Sequence, residues 1–199
     1  MVHESVYEKF ISAFTEHVKE VSVVGDPFTT STFQGPQVTR AQCERVLEYV
    51  EIGKSEGATL VSGGGPATSA NSNNNGKGFF VSPTIFRDVD DSMRIFREEV
   101  FGPFVVIASF KTEQEAIARA NDSVYGLGAA VFTRDIARAH RVARRLEAGM
   151  VWINSSNDSD FRVPFGGVKQ SGIGRELGEA GLRAYSNEKA VHVNLGTVL

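Results

Sequence analysis

At 199 residues, 41% of them apolar and 23% charged, the chain suits one domain or a domain with a small appendage, and it can bury about 70% of its unfolded surface. A net charge of −3 with no basic stripe excludes an electrostatic grip on nucleic acid or an anionic membrane. The single cysteine, Cys43, excludes an internal disulfide and fits a reducing, cytoplasmic setting, and no apolar run approaches the ~18 residues that span a bilayer.

The opening stretch "MVHESVYEKF" lacks a charged and then apolar leader, so it is not read as a secretory signal. Val6, Phe10, Ile11, Phe14 and Val18 recur at a helical period over 4–22, and "GDPF" at 25–28 breaks it. Residues 38–53 predict a second amphipathic helix through Val38, Cys43, Val46, Leu47 and Val50. "ATLVSGG" follows as a short strand. Residues 63–78 form a Gly/Asn/Ser-rich loop with no core-forming residues, expected to be mobile and to carry no chemistry.

Beyond the loop the pattern becomes regular. "FFVSPTIF" and "FVVIASF" predict extended segments, and "TEQEAIARAND" a helix with a Thr cap and early acids. "GAAVFT" and "MVWIN" predict strands on either side of a helix over "RDIARAHRVARRLEAG", which stops at Gly149. On that helix Arg141, Arg144 and Arg145 make a solvated face. A last helix over "GRELGEAGLRAYS" and a closing strand "KAVHVNL" complete the chain. Apolar strands alternating with helices define an α/β fold built on parallel sheet.

Few residues carry obvious chemistry. Cys43 is the sole thiol, but it shares the apolar stripe of its helix, where a cysteine is a small core residue more often than a nucleophile. The four histidines are scattered, so no metal site is expected. In "KQSGIGRELG" the third glycine falls one place late for a dinucleotide fingerprint, and a tight turn into a helix beginning near Gly174 explains it better. The aperiodic polar stretch 154–167, with Asp158, Asp160 and Arg162, lies where open α/β sheets hold ligands, and is equally well a surface loop.

Several stretches then agree on one family. "VVGDPF", "QGPQV", "GKGFFVSPTIF", "EEVFGP", "YGLGAAVFT", "VWIN" and "VPFGGVKQSGIGRELGEAGLRAYSNEKAV", in this order and spacing, resemble the aldehyde dehydrogenase superfamily from about Val2 to Asn194. The resemblance implies the α/β, parallel-sheet C-terminal catalytic portion of that fold, as one truncated catalytic domain over 1–199. By the resemblance, Glu99 matches the glutamate that holds the nicotinamide ribose hydroxyls and Phe101 the aromatic that contacts the nicotinamide ring. Phe165 lies near the family's active site, and Asn157, Asp158, Ser159, Asp160 and Phe161 match the segment lining the aldehyde tunnel. That segment is polar here where the family often places aromatic or apolar groups.

By the same resemblance the catalytic cysteine should lie a few residues before Met1 and is absent, Cys43 does not match it, and the general base, the oxyanion-hole asparagine and the dinucleotide-binding domain are expected to be absent too. The expectation is therefore a protein without stand-alone dehydrogenase activity. NAD or NADP serves full-length members, but no cofactor is expected here, and Glu99 and Phe101 are expected to be vestigial. Acid/base chemistry on a small molecule, such as isomerisation, cyclisation, dehydration or hydrolysis, would fall to Asp158, Asp160, Arg162 and Glu99. Asn154, Asn157, Ser159, Phe161 and Phe165 would contact the substrate. The alternatives are an inactive binding or regulatory homologue and a fragment of a full enzyme. A homodimer is expected, because exposed apolar surface finds partners and "KAVHVNL" offers an edge for pairing.

Overall fold

A computed structural model describes residues 1–67 and 78–196. Most of the Gly/Asn/Ser-rich loop expected at 63–78 lies outside the described residues. The chain falls into two compact units, Met1–Ala116 and Ile117–Leu199.

The first unit opens with β1 (Val2–His3), a single 3-10 turn, and α1 (Tyr7–Val21). Helix α2 (Arg40–Ser55), strands β2 (Thr59–Ser62) and β3 (Thr84–Arg87), the one-turn α3 (Arg94–Arg97), and strands β4 (Phe104–Ile107) and β5 (Ser109–Phe110) follow. Strand β3 is central, pairing antiparallel with β2 and parallel with β4, and β1 lies parallel to β5.

Helix α2 forms where the apolar period predicts it, two residues later at each end. Thr39 is the reason for the late start: its hydroxyl accepts from Gln42 N at 3.1 Å and caps the helix. Val38 therefore lies outside the helix and is 86% exposed, not part of its buried stripe. The buried face is Val46, Tyr49, Val50 and Gly53, packed with Phe86, Val89, Ile95 and Val100 into one core cluster. Each fully buried valine of that face contributes about 1.5–3 kcal/mol of apolar transfer. Cys43 packs against the same cluster, as its stripe predicts.

A second cluster joins α1 to the sheet through Tyr7, Ile11, Ile85 and Ile107. The Tyr7 hydroxyl donates to Ile107 O at 2.8 Å and accepts from Asp88 N at 3.1 Å, so one phenol ties the helix to two strand ends. Of the predicted α1 stripe, Ile11 is buried and Phe10 is exposed, stacked on Phe14 at 5.6 Å.

Helix α4 (Glu113–Asn121) is capped by Thr112, whose hydroxyl accepts from Glu115 N, as predicted. In the second unit β6 (Gly128–Val131) and β7 (Met150–Ile153) pair parallel, with α5 (Ile136–Ala143) between them in sequence. Asp135 caps α5 through Arg138 N at 3.0 Å. The helix ends at Ala143, six residues before Gly149, and Arg141, Arg144 and Arg145 are exposed as expected.

Two expectations near the C-terminus are corrected. The last helix, α6 (Gly178–Ala184), begins four residues after Gly174, because Gly174 and Leu177 have positive φ and cannot belong to a right-handed helix. The segment "KAVHVNL" is not a strand: among the described residues, 187–196 form no strand pairing, and Val191, Val193 and Leu195 are exposed. Alternating apolar residues make a strand only where a neighbour supplies the other half of the hydrogen bonds.

Candidate functional site

In the first unit the notable geometry is the segment that follows α3. Its two adjacent carboxylates have opposite fates. Glu98 accepts from the Tyr49 hydroxyl at 2.7 Å and takes a two-pronged hold from Arg94, Nε to Oε1 at 2.9 Å and Nη2 to Oε2 at 3.0 Å. Arg94 first, and then Tyr49, hold the Glu98 carboxyl down at about 2. The same pairing pushes the Arg94 guanidinium above its usual range. Glu99, one residue on, is exposed and has no hydrogen-bond or ion-pair partner among the described residues.

Phe101 follows with φ of 56° and its side chain 70% exposed, while Val100 between them is buried. A phenylalanine in the left-handed region is uncommon and needs support from its surroundings. Gln42 Nε2 donates to Phe101 O at 3.0 Å. Gly102 lies so close to α2 that a Cβ there would stand 2.5 Å from Val46 Cγ2. The turn thus leaves one carboxylate and one phenyl ring facing outward. A free carboxylate accepts hydrogen bonds from vicinal hydroxyls, and an exposed ring face suits a flat heterocycle.

In the second unit the polar stretch after β7 is fastened at several points. Asn154, with φ of 56°, spends both side-chain polar atoms on Thr133, accepting from its N at 2.9 Å and donating to its O at 3.0 Å. The Trp152 indole donates to Asp158 O at 2.9 Å. Gly178 N donates to Phe161 O at 2.9 Å, and Phe165 and Glu176 exchange backbone hydrogen bonds at 2.7 and 2.8 Å. The segment is therefore a strap anchored at Asn154, Phe161 and Phe165, with Asn157, Asp158, Ser159 and Phe161 exposed along it.

Asp160 and Arg162 are brought together: Arg162 Nε reaches Oδ1 at 2.8 Å and Nη2 reaches Oδ2 at 2.6 Å, and the guanidinium stands 5.7 Å from the centre of the Phe161 ring. Arg162 holds the Asp160 carboxyl below the usual range. The residues named for acid/base chemistry divide between the units, with Glu99 in the first and Asp158, Asp160 and Arg162 in the second.

Cys43 is half-buried, and burial, the largest influence, pushes its thiol up. Among the described residues no cluster of His, Cys, Asp and Glu could hold a metal ion, and no helix is long and apolar enough to cross a membrane. Sequence reasoning missed Tyr49, Arg94 and Gln42 as supports of the Glu99 turn. A Thr-x-x-Gln capping pattern does flag Gln42, but nothing local points to Tyr49, 49 residues from Glu98.

The family model of the aldehyde dehydrogenase family matches residues 1–191. Betaine aldehyde dehydrogenase of Brucella anthropi is 50% identical over 197 residues, which is 99% of this chain and 40% of the relative. Aldehyde dehydrogenase of Agaricus bisporus is 48% identical over 194 residues, 98% of this chain and 37% of the relative. Among solved structures, an NAD+ complex of aldehyde dehydrogenase from Bacillus cereus superposes with a TM-score of 0.91 at 47% identity, over 98% of this chain and 38% of that one. The chain belongs to the aldehyde dehydrogenase family. It spans 37–40% of the length of these relatives.

Proposed function

We propose that this chain supplies the nicotinamide-ribose contact of an NAD(P)-dependent aldehyde dehydrogenase, the nucleophilic cysteine and the nucleotide-binding domain being supplied by portions of the enzyme outside these 199 residues. The observation that carries it is the division of labour at 98 and 99. Glu98 is consumed by Tyr49 and Arg94, while Glu99 is exposed and uncommitted beside the exposed ring of Phe101.

These residues fit the cofactor. Glu99 accepts from the ribose hydroxyls, and Phe101 offers its ring to the nicotinamide. The bound nicotinamide supplies the hydride acceptor for aldehyde oxidation. In the second unit, Asn157, Asp158 and Ser159 give the strap 154–165 an exposed polar surface suited to contacting a small polar aldehyde.

Non-redox acid/base chemistry at Asp158, Asp160 and Arg162 is the second reading, and the geometry supports it less. A general acid needs a raised carboxyl pKa, and the Arg162 pairing moves Asp160 the other way. Assembly belongs to the same proposal: the exposed apolar side chains of Val191, Val193 and Leu195 would pack on a second copy, giving a dimer, in the cytoplasm, where a cysteine without a disulfide partner is stable.

Nicotinamide mononucleotide titrated into the 199-residue chain at millimolar concentration tests the ribose contact. Amide shifts at Glu99 and Phe101 should saturate, and the response should vanish in Glu99→Gln. No response in the folded wild-type chain contradicts the proposal.

A further inference from the structure

One face of α2 meets the entire segment from α3 to Gly102. Gln42, Val46, Tyr49 and Gly53 recur at four, three and four residues, so they lie along one stripe. Gln42 Nε2 holds Phe101 O. Val46, fully buried, abuts Gly102. Tyr49, 3% exposed, holds Glu98. Gly53 leaves room for Ile95 Cδ1, which a Cβ there would meet at 3.0 Å. Four consecutive contacts along one helix therefore set the path of residues 95–102.

Within that stripe only Tyr49 distinguishes the two neighbouring glutamates. Its hydroxyl is fixed before it reaches Glu98: the ring is buried, with Arg45 and Arg94 guanidinium carbons 5.8 and 5.7 Å from its centre. Arg94 alone is a poor selector. It is half-exposed and on the same short helical turn, with a flexible side chain that could follow either carboxylate.

Resting on the ribose-contact role proposed above, we infer that Tyr49 is a positioning residue that selects Glu98 as the structural carboxylate and so commits Glu99, with Phe101, to the ligand. Tyr49 touches neither cofactor nor substrate. It acts by holding Glu98 against α2, so that with Val100 buried on the other side Glu99 is left facing outward between them. The adjacent pair thus works as a lock and a hand, and α2 decides which is which.

The test compares the wild-type 199-residue chain with Tyr49→Phe, which keeps the ring and removes only the hydroxyl. Side-chain carboxyl resonances of Glu98 and Glu99 are followed against pH, and nicotinamide mononucleotide is titrated into each protein. In Tyr49→Phe the Glu98 midpoint should rise from about 2. Amide shifts across 98–102 should move, and mononucleotide affinity should fall on the order of tenfold, the factor that goes with one hydrogen bond to a charged group. A loss of packing alone would lower the melting temperature without moving the Glu98 midpoint selectively. An unmoved Glu98 midpoint, or unchanged amide shifts at 98–102, overturns the inference whatever the mononucleotide does. Moved shifts with unchanged affinity overturn it too. A wild-type chain that shows no mononucleotide response contradicts the ribose contact instead, and the carboxyl titration still decides whether Tyr49 sorts the pair.

Discussion

The Tyr49 hydroxyl and the Glu98 carboxylate meet at 2.7 Å across 49 residues of sequence, and Arg94 completes the grip from four residues away. Together they hold Glu98 at about 2, against 4.5 for an unperturbed glutamate. A carboxyl depressed in the folded state stabilises the fold fully above its unfolded value and loses that contribution as pH falls. The chain should therefore lose stability between about pH 4.5 and pH 2, and Glu98→Gln should flatten that part of the profile. Thermal melts across the window check this. Parallel profiles for the two proteins would show that Glu98 is not held as described.

Gly102 should tolerate no side chain. A Cβ there meets Val46 Cγ2 at 2.5 Å, and Val46 is fully buried, with its stiff branched side chain packed in the core cluster. Gly102→Ala is expected to cost about 1–3 kcal/mol by overpacking, measured by denaturant unfolding. The double variant Val46→Ala/Gly102→Ala should cost less than the sum of the two single changes, because removing the methyls of Val46 removes the clash.

Asn154 combines a left-handed backbone with an amide that bonds Thr133 on both sides. Asn154→Gly loses the amide but keeps the dihedral, and Asn154→Ala loses both. Alanine should be the worse substitution, by on the order of 0.5–1 kcal/mol of left-handed strain. Equal losses would mean that the side-chain bonds carry the whole effect.

Cys43 should be a sluggish thiol. Burial pushes its pKa up, and a thiol reacts through its thiolate. Modification by a disulfide reagent at neutral pH should be slower than for a free cysteine, and should speed up on unfolding. Fast, stoichiometric labelling of the native chain would reopen Cys43 as a nucleophile.

Much of the fold was legible because its signals are local. The apolar run "FVVIASF" became β4 and β5, and the Thr112 cap stands at a helix start. The failures have a common physical origin in distant partners. "KAVHVNL" has a strand's alternation, but strand pairing depends on a neighbour that periodicity cannot show. Helix α6 starts late because of left-handed dihedrals at Gly174 and Leu177, and leucine gives no warning of one. At the site, the motif "EEVFGP" flags two glutamates without saying which is spent. Only the meeting of α2 with that motif separates them.

The most direct measurement replaces the matching 38% of the Bacillus cereus aldehyde dehydrogenase with this chain and follows NADH formation from an aldehyde. The chimera should turn over, and Glu99→Gln within it should lower kcat/KM for NAD on the order of tenfold, as expected for losing a charged hydrogen-bond acceptor. A folded chimera that forms no NADH, or one in which Glu99→Gln changes nothing, would contradict a nicotinamide-ribose contact at Glu99.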